Sequence, residues 1–567
     1  MNFPDFHEFQ SLKVEQILPY YHSLQERSLS EESLGTWMDD WSTLRKLVDE
    51  TYARLQLAYQ LDTTDEKAER RYLDFLGDVY PGLEEADQQL KEKLLSSGFQ
   101  PEGMELPLKK MALEADLFRE ENLPLLTEEQ KLGSKYSKIM GAQTVEWQGE
   151  ELTLAQIKRR MQTPDRGVRE RIWEQLSRRQ LADQEEINQL WEQLMAVRKQ
   201  LAENAGKQDF REYSWQKRLR MAYVPEDSLT FLEAVRQVVV PAATRVYQRY
   251  AARIGIEQLR PWDLLDNQTP FLLPPIEVFE TEAEFISRAA KIFKLLDPQL
   301  GKYFRIMQEE DLLDLMSRKG KGPGAFCTSF ATEGKPFIFM NAVGLSSDIR
   351  VLFHESGHAF HVFERSQLPY HHQWRAGMEF NEVASTAMEL LASSYLEKDA
   401  GGFLSPRDAA RSRLQHLEGK LVFWPYMAVV VAFQHWVYQH HAQASAPEAC
   451  SRKWSELVDL YMPGIDWSGH DQVKATGWQR KLHIHRAPFY YIEYGLSQLG
   501  AVQIWQNAQQ DLQEALRSYR HALALGGTAD LPALYQTSGA KFAFDVDTLE
   551  PAVRSIEETL ADLESKR

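Results

Sequence analysis

The chain has 567 residues, 43% of them hydrophobic, which is enough to bury a sizeable core in a protein of enzyme size. Its 83 acidic and 65 basic residues give a net charge of -18, which excludes the basic surface that non-specific nucleic-acid binding needs. Two cysteines far apart in the sequence offer no disulfide framework, and the first residues show no secretory-signal pattern. We therefore expect a soluble, cytoplasmic protein without a nucleic-acid partner.

Most of the chain carries the pattern of amphipathic helices. Apolar residues recur every three or four positions, with charged residues opposite, for example over residues 37–61, 65–80 and 183–205. The longest apolar run, residues 421–433, is shorter than the roughly 20 residues that a bilayer span requires. It predicts a buried core helix, and the chain as a whole is expected to be mainly α, without a membrane partner.

A small hairpin is predicted within this helical pattern. Residues 144–152 alternate apolar and polar side chains and turn at Gln148-Gly149, and a capping box follows them. We expect this hairpin to connect an N-terminal helical region, residues 1–140, to a helical catalytic region, residues 141–567.

A second hairpin is predicted before the most informative motif of the chain. Residues 324–330 and 335–341 are rich in aromatic and β-branched side chains, which favour strands. An exposed edge strand could pair with the backbone of an extended peptide. The alternative is a hairpin that only packs against the core.

The motif itself is the His-Glu-x-x-His run from His354 to His358. On a helix, residues four apart lie one turn above each other, so His354 and His358 can present two imidazole nitrogens to one zinc ion. Glu355 then lies beside the metal, where its carboxylate can take a proton from an activated water and pass it to the leaving amine. The competing interpretation is two histidines buried on a helix face.

A catalytic zinc needs a third protein ligand and an open position for water. The metzincin pattern is excluded, because position 361 is His and position 364 is Glu. A second predicted helix carries Glu379, Glu382 and Glu389. We expect Glu382 to be the ligand, with Glu379 as its competitor and Glu389 as the partner that holds a ligating histidine.

A third segment, residues 485–494, offers groups that could stabilise a transition state. Negative charge develops on the carbonyl oxygen during hydrolysis, and His485, Tyr490 and Tyr494 could donate hydrogen bonds to it. Tyr490 and Tyr494 would share a helix face, whereas Tyr491 would point elsewhere. The alternative for each tyrosine is core packing, and for His483 core packing is the favoured interpretation.

These motifs resemble the thimet oligopeptidase and oligoendopeptidase F family of zinc peptidases, from about residue 140 to the C-terminus. The segments that carry the resemblance are residues 354–361, 382–389 and 485–494, together with 261–264 and 324–327. Two positions depart from the family pattern. Ala384 stands where the family usually has Pro, and Arg486-Ala487-Pro488 replaces the Gly-rich loop of the thimet branch, which indicates the oligoendopeptidase F branch.

The resemblance implies a large two-lobed helical zincin with a deep substrate channel and a small β-sheet or hairpin next to the zinc helix. It implies one zinc ion per chain, with Glu382 as the third ligand. It also implies that His485 and Tyr490 contact the transition state and that Tyr494 contacts the substrate.

The function expected is that of a zinc-dependent oligoendopeptidase, which hydrolyses internal bonds of short peptides with Glu355 as general base and acid. One alternative is a metallocarboxypeptidase of the carboxypeptidase Taq type, in which Arg375 or Arg486 could bind a free carboxylate. The other is a non-catalytic helical protein with a structural metal. The sequence leaves the oligomeric state open.

Overall fold

The structure is a computed structural model that describes residues 1–265, 269–270 and 275–565. It is 71% helical with small sheets, which confirms the mainly α fold. The chain divides into two compact units that interleave along the sequence. Unit 1 comprises Met1–Asp116, Glu277–Pro406 and Gly500–Phe542, and unit 2 comprises Leu117–Ile276, Arg407–Leu499 and Ala543–Arg567.

The helices are numbered in chain order. Up to residue 265 they are α1 (Phe6–Phe9), α2 (Val14–Glu26), α3 (Glu31–Leu61), α4 (Glu66–Asp74), α5 (Tyr80–Ser97), α6 (Glu105–Leu117), α7 (Asn122–Gly141), α8 (Leu154–Arg160), α9 (Arg166–Ala182), α10 (Gln184–Asn204), α11 (Phe210–Lys217), α12 (Pro225–Ala234) and α13 (Val240–Arg253). From residue 275 they are α14 (Glu282–Leu296), α15 (Pro298–Glu309), α16 (Ser346–Arg365), α17 (Met378–Ala392), α18 (Pro406–Gln439), α19 (His441–Ala444), α20 (Pro447–Tyr461), α21 (Asp471–Ala475), α22 (Leu482–Arg486), α23 (Tyr491–Gln510), α24 (Leu512–Ala524), α25 (Leu531–Thr537) and α26 (Val546–Ser565).

The strands are short and form three small sheets. They are β1 (Thr144–Trp147), β2 (Glu150–Thr153), β3 (Leu264–Leu265), β4 (Thr269–Pro270), β5 (Leu313–Met316), β6 (Phe326–Phe330) and β7 (Lys335–Ala342). β1 pairs with β2 and β3 pairs with β4, both antiparallel. In the third sheet the order is β5-β7-β6, with β5 parallel and β6 antiparallel to β7.

Both predicted hairpins are present. In the first, Thr144 pairs with Thr153, and the turn residues Gln148 and Gly149 both have positive φ, as a tight two-residue hairpin turn requires. Thr153 and Gln156 form the predicted capping box at the start of α8. The second hairpin is β6 and β7, but the parallel strand β5 beside it was not predicted.

The predicted helices match with one refinement. Residues 37–61 lie within α3 and residues 183–205 correspond to α10. The stretch 65–80 is interrupted, because α4 ends at Asp74 and a π-helical turn, Phe75–Val79, leads into α5.

The apolar run at 421–433 lies within α18, as predicted for a core helix. α18 is long and apolar enough to cross a membrane, but 78% of its most apolar window is buried inside the fold. Burial of this kind is also typical of the core helix of a globular protein.

The compact units differ from the expected division at residue 140. In unit 1 the N-terminal helix α3 binds the loop between β6 and β7, because Glu50 accepts hydrogen bonds from the backbone N–H and the hydroxyl of Thr332. Asp49 of the same helix is 2.7 Å from Nε2 of His371, which precedes α17. Side-chain bonds between residues about 280 and 320 positions apart therefore join α3 to later segments of unit 1, and no local pattern reveals them.

Candidate metal centre and tyrosine cluster

The start of α16 fixes where its histidines lie. β7 leads into the helix through a short turn, and Oδ2 of Asp348 accepts hydrogen bonds from the backbone N–H of Val343 and of Leu345, at 2.8 and 2.9 Å. These bonds satisfy backbone donors at the helix start and stabilise it there. The register of His354 and His358 on the helix follows from this start.

Three side chains of unit 1, the ones that the sequence predicts as ligands, lie where they could hold a metal ion, and we call them the metal-binding group. His354 and His358 on α16 and Glu382 on α17 each offer a ligand atom, and these atoms lie within 4.8 Å of one another. The two imidazole centroids are 5.0 Å apart, and Nε2 of His354 lies 3.6 Å from Oε2 of Glu382. Two imidazole nitrogens and one carboxylate oxygen are a donor set that suits zinc and leaves a position open.

Gly357 allows α16 and α17 to approach closely enough for this group to form. A Cβ atom at this position would lie 2.5 Å from the carbonyl oxygen of Ala384 and 2.6 Å from Cα of Ser385. Any side chain here would therefore push the helices apart. The glycine within the His-Glu-x-x-His run thus has a packing role.

Glu389 holds His354 in place, as the sequence predicts. Its Oε1 lies 2.7 Å from Nδ1 of His354, so the imidazole donates from Nδ1 and keeps Nε2 free for a cation. Burial alone would lower the pKa of His354, but the hydrogen bond and the charge of Glu389 raise it.

Glu355 is buried next to the metal-binding group, with a relative exposure of 6%. Burial raises the pKa of Glu355 to about 7, against the opposing effect of His354, and the charges of Glu382 and Glu389 raise it further. Burial also lowers the pKa of His358 to about 3, so this imidazole is neutral and can act as a ligand. A carboxyl group with a pKa near neutrality can both accept and donate a proton.

Glu379, the competing third ligand, is not part of the metal-binding group. It is buried three residues before Glu382, and its charge acts on Lys110 and Tyr535. Among the residues that the structure describes, Glu382 is the carboxylate of α17 that meets both histidines.

β6 lies at the edge of its sheet and close to Glu355. The charge of Glu355 contributes, after burial, to raising the pKa of the Cys327 thiol on this strand. In the described sheet the outer side of β6 has no partner strand. β6 is therefore an edge strand of this sheet.

The tyrosines at the start of α23 form a cluster in unit 2. The ring centroids of Tyr490 and Tyr494 are 5.1 Å apart, and that of Tyr491 is 5.6 Å from Tyr494. Tyr491 therefore joins the cluster, contrary to expectation. His483 completes it, with centroid distances of 6.1 Å to Tyr490, 4.8 Å to Tyr491 and 6.2 Å to Tyr494. Burial lowers the pKa of His483 to about 4.

His485 lies in an aromatic core of the same unit. Its ring stacks on Tyr136 at a centroid distance of 4.2 Å and also contacts Trp478 and Trp191. Its relative exposure is 1%, and burial lowers its pKa to about 3. Within unit 2, His483 is therefore the histidine that contacts the tyrosines, whereas His485 packs in the aromatic core.

A strained turn between the two histidines and the cluster gives the two histidines different surroundings. Phe489 has a φ of 61°, and this left-handed backbone conformation lies in the turn that separates α22 from α23. Arg218 donates to the carbonyl of Pro488, Arg220 donates to that of Phe489, and Gln434 accepts from the backbone N–H of Phe489. The sequence signal available was the His-x-His pair itself, whose members lie on different faces of α22.

Two packed helices that present two imidazoles and a carboxylate, with a buried carboxylic acid alongside, define a helical metallopeptidase. Residues 160–552 match peptidase family M3, and residues 5–116 match the peptidase M3 N-terminal domain. The chain therefore belongs to peptidase family M3.

Individual relatives agree with this assignment. The chain is similar to an oligoendopeptidase F homologue of Borreliella burgdorferi, at 23% identity over 253 residues, which span 43% of this chain and only 41% of the relative. It is similar in structure to PZ peptidase A with an inhibitor, at 28% identity and a TM-score of 0.85, over 100% of this chain and 99% of the other. A protein proposed to be an oligoendopeptidase F gives 28% identity and a TM-score of 0.86 over 99% of each chain.

Proposed function

We propose that the protein is a zinc-dependent oligoendopeptidase that hydrolyses internal bonds of short peptides. The observation that carries this proposal is the group formed by His354, His358 and Glu382, with Glu355 buried beside it. Membership of a peptidase family supplies the substrate class, and the donor set supplies the preference for one zinc ion per chain. Its cellular location is a prediction from the sequence alone.

Each residue has a distinct task in this proposal. A bound zinc ion would polarise a water molecule and the scissile carbonyl group. Glu355 accepts the proton of the attacking water and then donates it to the nitrogen of the leaving amine, so that the proton count balances. Glu389 fixes the tautomer of His354 and thereby the direction of its ligand atom.

Substrate binding is assigned to the edge strand β6 and to the tyrosine cluster. Main-chain hydrogen bonds along β6 would hold a peptide in an extended form whatever its side chains. Tyr490 and Tyr494 would donate hydrogen bonds to the substrate and to its developing oxyanion. We assign the accompanying imidazole to His483, because His485 is stacked within the aromatic core.

The test combines metal content with cleavage of an internally quenched peptide that is amidated at its C-terminus. Wild type should contain one zinc ion per chain and cut the peptide internally. Glu355→Gln should retain the zinc and lose activity by about 10²- to 10⁴-fold, the usual contribution of a general base.

The matched control is Glu364→Gln on the same helix. Glu364 is also buried, but its carboxylate binds Arg520 at 2.7 Å. This variant should keep both zinc and activity in the fraction that folds. Stoichiometric zinc without cleavage of the amidated peptide by wild type would overturn the proposal and favour a structural metal or an exopeptidase.

A further inference from the structure

Unit 2 contains a cavity of about 410 Å³ beside the tyrosine cluster. Its walls come from α8, α9, α18 and the segment that runs from Val473 to Tyr491. This volume lies within the range of ligand-binding pockets. Tyr491 forms part of the wall and contacts Tyr494, so the cavity adjoins residues that we assign to the substrate.

The charge of this cavity is opposite to that of the protein. Lys158, Arg480 and Lys481 line it, and none of its described lining residues is acidic. This concentration of positive charge occurs in a chain with a net charge of -18. We call the cavity the cationic pocket.

Arg480 is the central residue of the cationic pocket. Its guanidinium group donates to Oγ1 of Thr476 at 3.2 Å and to the carbonyl of Val473 at 2.7 Å, and both acceptors are neutral. In the part of the chain that the structure describes, no carboxylate forms an ion pair with it. Burial lowers the pKa of Arg480 to about 10. A desolvated cation that is bonded only to neutral groups gains from an anion placed against it.

The neighbouring cation is positioned by two phenol rings. Nζ of Lys481 donates to the hydroxyl of Tyr491 at 2.6 Å and lies 3.9 Å from the centroid of that ring. It also lies 4.9 Å from the centroid of Tyr426. Lys481 thus connects the cationic pocket to the tyrosine cluster.

The remaining wall is apolar and selects for more than a simple ion. It is formed by Leu154, Met161, Trp173, Leu176 and Val473. A ligand with an apolar group beside a negative charge would contact both the apolar wall and the cationic residues of the pocket. A peptide offers this combination where a carboxylate lies next to an aliphatic or aromatic side chain.

We propose that the cationic pocket binds a carboxylate of the peptide substrate, with Arg480 and Lys158 as the residues that recognise it. The inference rests on the proposed peptidase function and adds a specificity site to it. Two sources of the carboxylate share this chemistry: the C-terminus of the peptide and an acidic side chain.

The experiment uses one internally quenched peptide sequence, prepared at several lengths, in three forms. One form has a free C-terminus, one is amidated, and one is amidated with an internal Glu in place of Gln. Wild type should show a lower KM for a form that carries the recognised carboxylate. Arg480→Gln should reduce this preference in KM about tenfold, as expected for one charge-assisted hydrogen bond. It should leave kcat largely unchanged.

Lys158→Gln and Arg159→Gln form the matched pair of controls. Both residues are exposed on α8, and each substitution removes one positive charge. Only Lys158 lines the cationic pocket. Lys158→Gln should weaken the preference, and Arg159→Gln should not. Because Lys158 is exposed, this pair also decides the question if Arg480→Gln fails to fold.

The outcomes separate the two proposals. A preference for the free C-terminus that Arg480→Gln abolishes identifies the terminal carboxylate, and a preference for internal Glu that it abolishes identifies a side chain. Equal cleavage of all three forms by wild type overturns the pocket proposal while the peptidase function stands. If wild type cleaves none of them, the proposed function fails. In that case calorimetric binding of the acid and amide forms tests the pocket, and equal affinities reject it.

Discussion

The metal-binding group of unit 1 and the tyrosine cluster of unit 2 are built in contrasting ways. His354 and His358 lie on one continuous helix, so their spacing determines that both face the same side. His483 and His485 also lie on one helix, but α22 has only five residues and ends before the strained turn at Phe489. Helical spacing therefore predicts which residues are neighbours within one helix. Which residues become neighbours across the turn at Phe489 depends on the tertiary contacts that hold this turn.

The largest expected effect is on catalysis in the region of the tyrosine cluster, and substitutions of His483 and His485 test it. His483→Asn should lower kcat by about 10²-fold, the cost of one donor to a developing oxyanion, with little change in stability. His485→Asn should mainly destabilise the protein, because it places an amide among the rings of Tyr136, Trp478 and Trp191.

Peptide kinetics and denaturant unfolding of the two variants measure both effects. The reverse pattern, with kcat lost only in His485→Asn, would restore the role that the sequence assigned to His485.

The variant Glu389→Gln tests how strongly Glu389 supports the metal-binding group. Losing the carboxylate that holds Nδ1 of His354 should weaken metal affinity by about 10- to 100-fold. Competition with a chelator measures this change. Glu379→Gln on the same helix is the control and should leave the affinity unaltered. An equal loss in both variants would return Glu379 to consideration as a ligand.

The variant Gly357→Ala tests the close approach of α16 and α17. The new methyl group meets the backbone of Ala384 and Ser385, so we expect a loss of about 1–3 kcal/mol in unfolding free energy, together with weaker metal binding. Gly419→Ala is the matched control on α18, because nothing lies within 4 Å of its Cβ position. Helix propensity alone should make that variant about 1 kcal/mol more stable. Denaturant midpoints that rise in both variants would refute the close contact.

The smallest effect concerns the ion pairs that tie α3 to the segment before α17. Burial alone would raise the pKa of Asp49, but Arg45 and His371 lower it to about 2. A depressed carboxyl pKa stabilises the fold above the unfolded value of about 3.9, and this contribution is lost as the pH falls toward 2.

Asp49→Asn should therefore cost about 1–2 kcal/mol at pH 7, a figure reduced because the side chain is 32% exposed. The gap between wild type and variant in unfolding free energy should narrow between about pH 5 and pH 2. A gap that stays constant over this range would show that the charge of Asp49 contributes nothing.

Several features of the site were predicted because they are local. The helix that carries His354, Glu355 and His358 follows from its period, and the hairpin β6–β7 follows from its composition. The sequence also favoured Glu382 over Glu379, and the structure adds that α17 packs closely against α16 at Gly357 with Glu382 near both histidines. The parallel strand β5 was missed because its pairing with β7 is non-local and because four residues are too few for a strand pattern to be recognised.

The sequence by itself determined the donor types, their helical spacing and the mainly α fold, because each depends on residues within a few turns of one another. Only the tertiary structure decided that His483 faces the tyrosines and that Arg480, Lys158 and Lys481 line one cavity. Those arrangements depend on contacts between distant segments, such as the bonds of Arg218 and Arg220 to the turn at Phe489. Contacts of this kind occur at no fixed spacing in the sequence, so a sequence pattern does not reveal them.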